Sequence, residues 1–472
     1  MSRRSRPLPI TRRTFIQGVS AAALLAACSG GESSPQSAAP TEDAPEEKFT
    51  EPATQLSGDL RLLLWSHFVP AHDEWFDTFA REWGERVGVN VSVDHIDVTT
   101  IPARISSEIG AGEGHDLIQM IATLSQFEPS VYPMNDLMDE ANQRFGEQLE
   151  LCQKSSFNPT TDNYYAYAPA WSPDPGDYRK SLWEQVDLPD GPSTWDELLE
   201  GGSRIFEEQD IQMGLGMSQE IDSNMYARAL IWSYGGAEQD TDEQVTLLSD
   251  QTIAAVEYAK ELFEGAMTEE VFAWNPASNN EGLIAGQLSY ILNSLSAWRT
   301  AQESIPDIAK DVFFVPALEG PEAQLAAQHV MYNWITPKFS QNFDAAQEFL
   351  LHYTANLPRA TYESKLYDFP GYPDQVPELD GWLDEDPFTI EGDDPTKLQA
   401  LKTATDWSTN LGYPGPASPA VGEINNTFIL PNMLARVARG GQEAEESVEQ
   451  AHQECEQIFE KWRNEGLVGG GQ

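Results

Sequence analysis

The chain is 472 residues long, with 76 acidic and 28 basic residues and 40% hydrophobic residues, which allows two or three domain-sized units with real cores. The first 27 residues hold five of the arginines and no acid, so the remainder sets 23 bases against 76 acids, a formal charge near −53. A surface of that sign excludes nucleic acid and anionic lipid headgroups as partners. The acids are spread through the chain and there are only 10 lysines. This balance reads as adaptation to high salt, where dense like charge is screened within a few ångströms.

The N-terminus has the layout of an export signal rather than of a folded element. Arg12-Arg13-Thr14-Phe15-Ile16 resembles a twin-arginine (Tat) signal, and Leu25-Ala26-Ala27-Cys28 resembles a lipobox, in which cleavage leaves Cys28 to carry lipid. The apolar stretch 15–27 is too short to span a bilayer, which takes about 20 residues. Residues 1–27 are therefore expected to be a Tat-type lipoprotein signal peptide. Residues 28–57, rich in Gly, Ser, Pro, Ala and Glu, are expected to be a disordered tether with a reach of about 30 Å.

The body is expected to start at Gly58. Residues 60–65 (LRLLLW) form an apolar run suited to a buried strand. Residues 73–87 space Trp75, Phe76, Phe79 and Trp83 like a helix, and Gly88 stops it. Residues 89–96 alternate like a strand, 99–109 are helical, and 116–121 (DLIQMI) form a third strand. Strand and helix in alternation predict a parallel sheet covered by helices. Further on, Thr194 and Glu197 stand at capping-box spacing. Residues 249–264, 344–354 and 442–462 have helical patterns, and 288–292 and 312–315 read as strands. No repeat is visible. Cys152 and Cys455 lie 303 residues apart; a disulfide is permitted outside the membrane, but spacing does not establish proximity.

From Gly58 to Trp462 the chain resembles the family 1 extracellular solute-binding proteins of ABC importers, the group containing maltose-binding protein. The resemblance rests on five marks in order: Gly114-His115-Asp116-Leu117-Ile118; Tyr167-Ala168-Pro169 with Tyr178-Arg179-Lys180-Ser181-Leu182; Pro192-Ser193-Thr194-Trp195-Asp196-Glu197-Leu198; Gly286-Gln287-Leu288-Ser289-Tyr290-Ile291; and Gly440-Gly441-Gln442 before the last helix. Arg179 departs from the family's usual asparagine. The resemblance implies an α/β, two-lobed periplasmic-binding-protein-like (Venus flytrap) fold, each lobe a mostly parallel sheet flanked by helices, joined by hinge crossovers. Lobe 1 is expected at 58–167 plus about 315–355, and lobe 2 at about 168–314 plus 356–472. It also implies capture of an extracellular carbohydrate, an ABC permease as partner, a lipid anchor on Cys28 at the outer face of the membrane or in the periplasm, and a monomer without enzymatic activity.

Ligands of parallel α/β lobes bind beyond the carboxyl ends of strands. That rule selects Trp65, Ser66 and His67; Thr123; Trp171 and Asp174; and Asn293. The resemblance adds Asn224, Trp232, Trp298, Trp334 and Asn425. Indole faces for the C–H side of a pyranose, and short polar groups for its hydroxyl rim, suit a sugar. Trp75, Trp83 and Trp195 read as helix packing. His67 and His72, five apart, match no strong metal motif and read as surface histidines. Residues 384–386 and 393–394 lack calcium-loop spacing and read as solvated acids, so no cofactor or metal is expected. The competing readings are an exported glycosidase using two carboxylates, or a binding protein for a polyamine, a cationic osmolyte or a sugar phosphate. The last would need cleft cations, for which only Arg228 and Arg299 are placed.

Overall fold

Apolar runs bounded by turns set up the first sheet. Gly58–Trp65 (β1) buries five of its last six residues. Pro70–Val87 (α1) turns His72, Trp75, Phe76, Phe79 and Trp83 onto one buried stripe and ends at Gly88, whose φ of 83° is left-handed and suits glycine. Val89–Ile96 (β2), Ile101–Ala111 (α2) and Leu117–Met120 (β3) follow. β1 runs parallel to β2 and to β3, with Leu62 opposite Val93 and Leu117. The structure, a computed structural model, describes residues 44–470, so the Arg12-Arg13 pair and Cys28 lie outside the described residues. Among the described residues no helix is long and apolar enough to cross a membrane.

Ala170–Ser172 (β4) leads the chain out of this lobe. The second lobe holds Gly176–Arg179 (β5), Trp195–Gln209 (α3), Gln212–Gly214 (β6), Ile221–Ser233 (α4), Asp250–Ala266 (α5), Leu288–Leu292 (β7), Ser296–Ser304 (α6) and Val312–Val315 (β8). The expected cap of α3 forms: Thr194 accepts from Glu197 N–H at 3.1 Å and the Glu197 carboxylate from Ser193 N–H at 2.8 Å. The sheet order is β8-β5-β7-β6. Only β6 and β7 are parallel, and β5 runs against both its neighbours. The expected parallel character thus holds in the first lobe and is weaker in the second. The cause is topological: β5 carries the chain out of the hinge and β8 carries it back.

The return path is Val330–Met331 (β9), then Asn333–Ile335 (β10), which closes the first sheet antiparallel to β3. Phe343–Ala355 (α7) and Leu357–Glu363 (α8) follow, then Phe369–Pro370 (β11). The C-terminal helices are Pro419–Asn426 (α9), Ile429–Ala438 (α10) and Ala444–Asn464 (α11). β4, β9 and β11 form a small antiparallel sheet of their own, with Trp171 opposite both Met331 and Phe369. These are the crossovers between the lobes. At Gly371, directly after them, a Cβ would lie 2.8–2.9 Å from the Pro169 and Ala168 carbonyl oxygens.

Several expected boundaries move. Residues 45–57 are not a tether but lie along α1 and α7. Lys48 N–H donates to Asn356 Oδ1 at 2.7 Å, and the Asn356 amide donates back to Lys48 O at 2.8 Å. Thr50 N–H reaches His352 Nδ1 at 3.3 Å and Ala53 N–H reaches Glu348 at 2.7 Å, while Trp75 donates to Glu47 at 2.8 Å. Glu348, His352 and Asn356 are four apart, so one helix face receives the segment's donors. Only Phe49 and Leu56 of this segment pack against the core, and the rest is held by side-chain acceptors, so it has no periodic apolar signature for composition to show. On the other side, α8 packs on α1, so the first lobe extends past 355. Ala326–Ala327 pairs with Ser408–Thr409 rather than with the first sheet. Cys152 and Cys455 are buried and free.

Candidate ligand-binding site

The chain leaves the hinge strand β4 through Pro173-Asp174-Pro175, and the prolines bias that segment to extended backbone. The result sets Trp171, Asp174 and Asp177 in sequence from hinge to second lobe, all fully buried. His329, directly before β9, donates its backbone N–H to Ser172 O at 2.9 Å and places Nδ1 2.8 Å from Asp174. Tyr290 of β7 stands opposite, close enough to Gly176 that a Cβ there would collide with its hydroxyl.

A second pair of acids comes from the start of α4. Glu220 is its N-cap and accepts from the N–H groups of Asp222 and Ser223 at 2.6 and 2.5 Å. The acids interact in a chain. Burial, then the Asp174 charge, pushes Asp177 well above the ordinary carboxylate range. Burial, then Glu220 and Asp174, does the same to Asp222. Among the described residues Asp177, Glu220 and Asp222 form no ion pair, and His329 is the one basic partner of the group.

Glu220 also stands on the wall of a cavity of about 390 Å³ that both lobes line. Val98, Thr99 and Met120 contribute from the first lobe, Asn224 from α4, and Asn425 and Phe428 from α9 and its end. The volume suits a small-molecule site. Glu220 interacts with His329, and Asp222 with Asp174, so the cavity wall is tied to the hinge acids. Among those hinge groups Trp171 Nε1, Ser172 Oγ, Asp174 Oδ2, both Asp177 oxygens and the Tyr290 hydroxyl are buried without hydrogen-bond partners. Each such group costs about 1–3 kcal/mol when left unmet. The arrangement offers one indole and a dense set of acceptors to a polar guest.

The structure sorts the residues selected from sequence. Trp171 and Asp174 belong to this constellation, and Asn224 and Asn425 line the cavity and bond to each other through Asn224 Nδ2 and Asn425 O at 3.0 Å. Trp65 and His67 lie together at the end of β1, ring centroids 4.7 Å apart, beside the hinge. Ser66 is exposed. Thr123 spends its hydroxyl on Ser125 and Tyr165, at 2.9 and 3.1 Å. Asn293 is already satisfied by the protein, accepting from Ser294 N–H at 2.9 Å and donating its amide to Asn280 Oδ1.

Three tryptophans turn out to pack. Trp232 donates to Glu238 at 3.3 Å in the interior of the second lobe. Trp298 donates to Ala309 O at 3.2 Å and packs on Phe314. Trp334 stacks with Phe76 in the first core. Neither arginine considered for an anion is free. Arg228 is paired with Glu238 at 2.7 Å, and Arg299 holds Asp386 bidentately at 2.8 and 3.0 Å. Asp386 and Asp393 are thus not solvated: Asp393 pairs with buried Lys397 at 2.7 Å. Sequence reasoning did not select Asp177, Glu220, Asp222 or Tyr290. Asp177 carried a usable signal, an acid three residues beyond Asp174 in a crossover strand.

A family model for bacterial extracellular solute-binding proteins matches residues 70–356. No curated protein matches by sequence. Among solved structures, a Synechococcus sp. MITs9220 protein described as an oligosaccharide periplasmic-binding protein, in complex with zinc, superposes with a TM-score of 0.72 at 16% identity, over 85% of this chain and 100% of its own. Maltose-bound MalE3 of T. maritima gives 0.70 at 17%, over 85% and 100%. A sugar transporter of Arthrobacter chlorophenolicus A6 with bound laminaribiose gives 0.69 at 17%, over 85% and 99%. At these identities the likeness speaks to the fold, which is two-lobed in each.

Proposed function

The chain belongs to the bacterial extracellular solute-binding proteins, and from that premise we propose that it captures an extracellular carbohydrate, an oligosaccharide first, and hands it to an ABC permease. The observation that carries this reading is the set of unpaired buried polar groups from Trp171 to Tyr290, together with a cavity lined by both lobes, whose wall residue Glu220 belongs to the same chain of interacting acids. Hydroxyls would meet those acceptors while the indole covers a C–H face. Maltose and laminaribiose in structural relatives support the choice of ligand class. Ligand bridging two lobes shifts them toward a closed form that a permease reads. No bond of the ligand is broken in this scheme.

The test is titration of oligosaccharides into the mature protein in high salt, followed by calorimetry and tryptophan fluorescence. Saturable binding is expected, and absence of binding to every carbohydrate refutes the assignment. Steady release of reducing ends would instead establish a glycosidase. The acid chain with His329 as its one basic partner favours a second reading, a cationic solute such as a polyamine; including spermidine and an amino sugar in the titration separates the two. We place the protein on the outer face of the membrane, exported by Tat, anchored through Cys28 and monomeric. Replacing Arg12 and Arg13 by lysine should block export, and Cys28→Ser should release the protein.

A further inference from the structure

A second buried polar cluster lies on the first-lobe side of Tyr367. His67, after β1, and His72, in the first turn of α1, stack with ring centroids 4.4 Å apart. Asp368, the residue before hinge strand β11, meets both: Oδ1 is 3.1 Å from His67 Nε2 and Oδ2 is 3.6 Å from His72 Nε2. All three are buried, at 6%, 2% and 1% exposure, which corrects the expectation of surface histidines. The Tyr332 hydroxyl donates to Asp368 Oδ1 and lies 3.1 Å from His67 Nε2. Among the described residues this is the one group of three such side chains whose ligand atoms all fall within 4.8 Å of one another.

A network built only for hydrogen bonding would use its donors and acceptors. Here neither ring nitrogen of His72 nor Asp368 Oδ2 has a partner within 3.5 Å, the acid beside His72 Nδ1, Asp73, standing 3.9 Å away. A four-coordinate ion with ligands at 2.0–2.2 Å needs its ligand atoms about 3.4 Å apart; His67 Nε2–Oδ1 and His72 Nε2–Oδ2, at 3.1 and 3.6 Å, lie on either side of that value with one carboxylate oxygen facing each ring. Val69 N–H donates to His67 Nδ1 at 2.9 Å, which puts the ring proton on Nε2, facing Asp368 Oδ1 at 3.1 Å. An ion bound at Nε2 would displace that proton, as metal binding does at histidine ligands. Two imidazoles and one carboxylate suit zinc rather than magnesium or calcium.

We propose that His67, His72 and Asp368 bind a zinc-class divalent cation, with the Tyr332 hydroxyl beside the fourth position, and that the ion ties the β1–α1 loop to the hinge. The ligands come from both sides of that joint, and Trp65 packs on His67 with ring centroids 4.7 Å apart, so the metal would fix the platform next to the hinge sheet. This inference does not depend on the identity of the transported solute.

Mature protein stripped with a chelator should take up one equivalent of zinc chloride in a calorimetric titration. X-ray absorption at the zinc edge should show two imidazoles with the remaining ligands oxygen. His72→Gln and Asp368→Asn should each weaken binding by at least about tenfold, with circular dichroism confirming the fold. His95→Ala and His115→Ala are the controls, since His95 lies 2.9 Å from Asp77 and His115, although buried, is held 2.7 Å from Glu108; both should leave the tight site intact. No stoichiometric binding, loss of it in either control, or fewer than two imidazoles on the wild-type ion overturns the proposal. The absorption arm needs no variant, so a variant that fails to fold leaves the test decisive.

Discussion

Acidification should loosen the N-terminal strap through His352, and the size of the effect follows from its surroundings. The side chain is 5% exposed, accepts from Thr50 N–H through Nδ1, and stacks on Phe79 with centroids 4.8 Å apart. Burial, and secondly the Arg86 charge, pulls the imidazole down to about 4. In the unfolded chain it titrates near 6.5. The folded value is the lower one, so between these two values the unfolded state binds more protons and stability falls as pH falls. From pH 7 to pH 5 this single group should remove about 2 kcal/mol. For roughly 430 residues the unfolding entropy is about 0.9 kcal/mol per degree, so the melting temperature should drop by about 2 °C from this source.

The informative quantity is a difference of differences. His352→Gln keeps a side-chain acceptor and removes the titration. Calorimetry of both proteins at pH 7 and pH 5, in the same salt, cancels every other ionisable group. The wild type should lose about 2 kcal/mol more than the variant, and hydrogen exchange at Thr50 should rise at pH 5 in the wild type alone. Equal losses in the two proteins would refute the reasoning, because the proton would then be taken up elsewhere.

Asp177→Asn should stabilise the protein at neutral pH by about 1–3 kcal/mol, since it removes a buried acid with neither oxygen paired. Because that carboxyl is held above its ordinary range, the gain should fade below about pH 4, where the acid is protonated in both states, while ligand affinity falls; thermal melts and calorimetric titration read the two effects. Gly371→Ala should cost about 1–3 kcal/mol in denaturant unfolding, because the new Cβ meets hinge carbonyls that cannot yield. Arg228→Ala should cost about 3–5 kcal/mol, because it leaves Glu238 buried and unpaired. Trp171→Phe should weaken ligand binding with little loss of stability, whereas Trp298→Ala should lose about 3–5 kcal/mol of stability with ligand affinity retained.

The last pair also explains what the sequence could and could not reveal. The lobes were legible because strands and helices announce themselves by period, and β1, α1, β2 and β3 fall where alternation and spacing put them. Trp65, Trp171, Trp232, Trp298 and Trp334 all read alike, since each follows or ends an apolar run and none carries a local mark of its partner. Their fates are set by residues far away in sequence: Glu238 and Ala309 take the indole protons of Trp232 and Trp298, and Phe76 takes the face of Trp334. An unpaired indole nitrogen alone does not mark a binding residue either, because Trp334 has one in the middle of a core. Trp171 differs in position: it is paired on both sides within the crossover sheet. Moreover, the chain beyond it carries two buried acids, of which Asp174 meets His329 and Asp177 has no partner at all. The same reasoning covers His67 and His72. Five residues apart, they looked unremarkable until the hinge brought Asp368 against both from 301 and 296 positions away. Local pattern therefore tells which side chains are available, and the crossovers, which join distant segments, decide which of them meet.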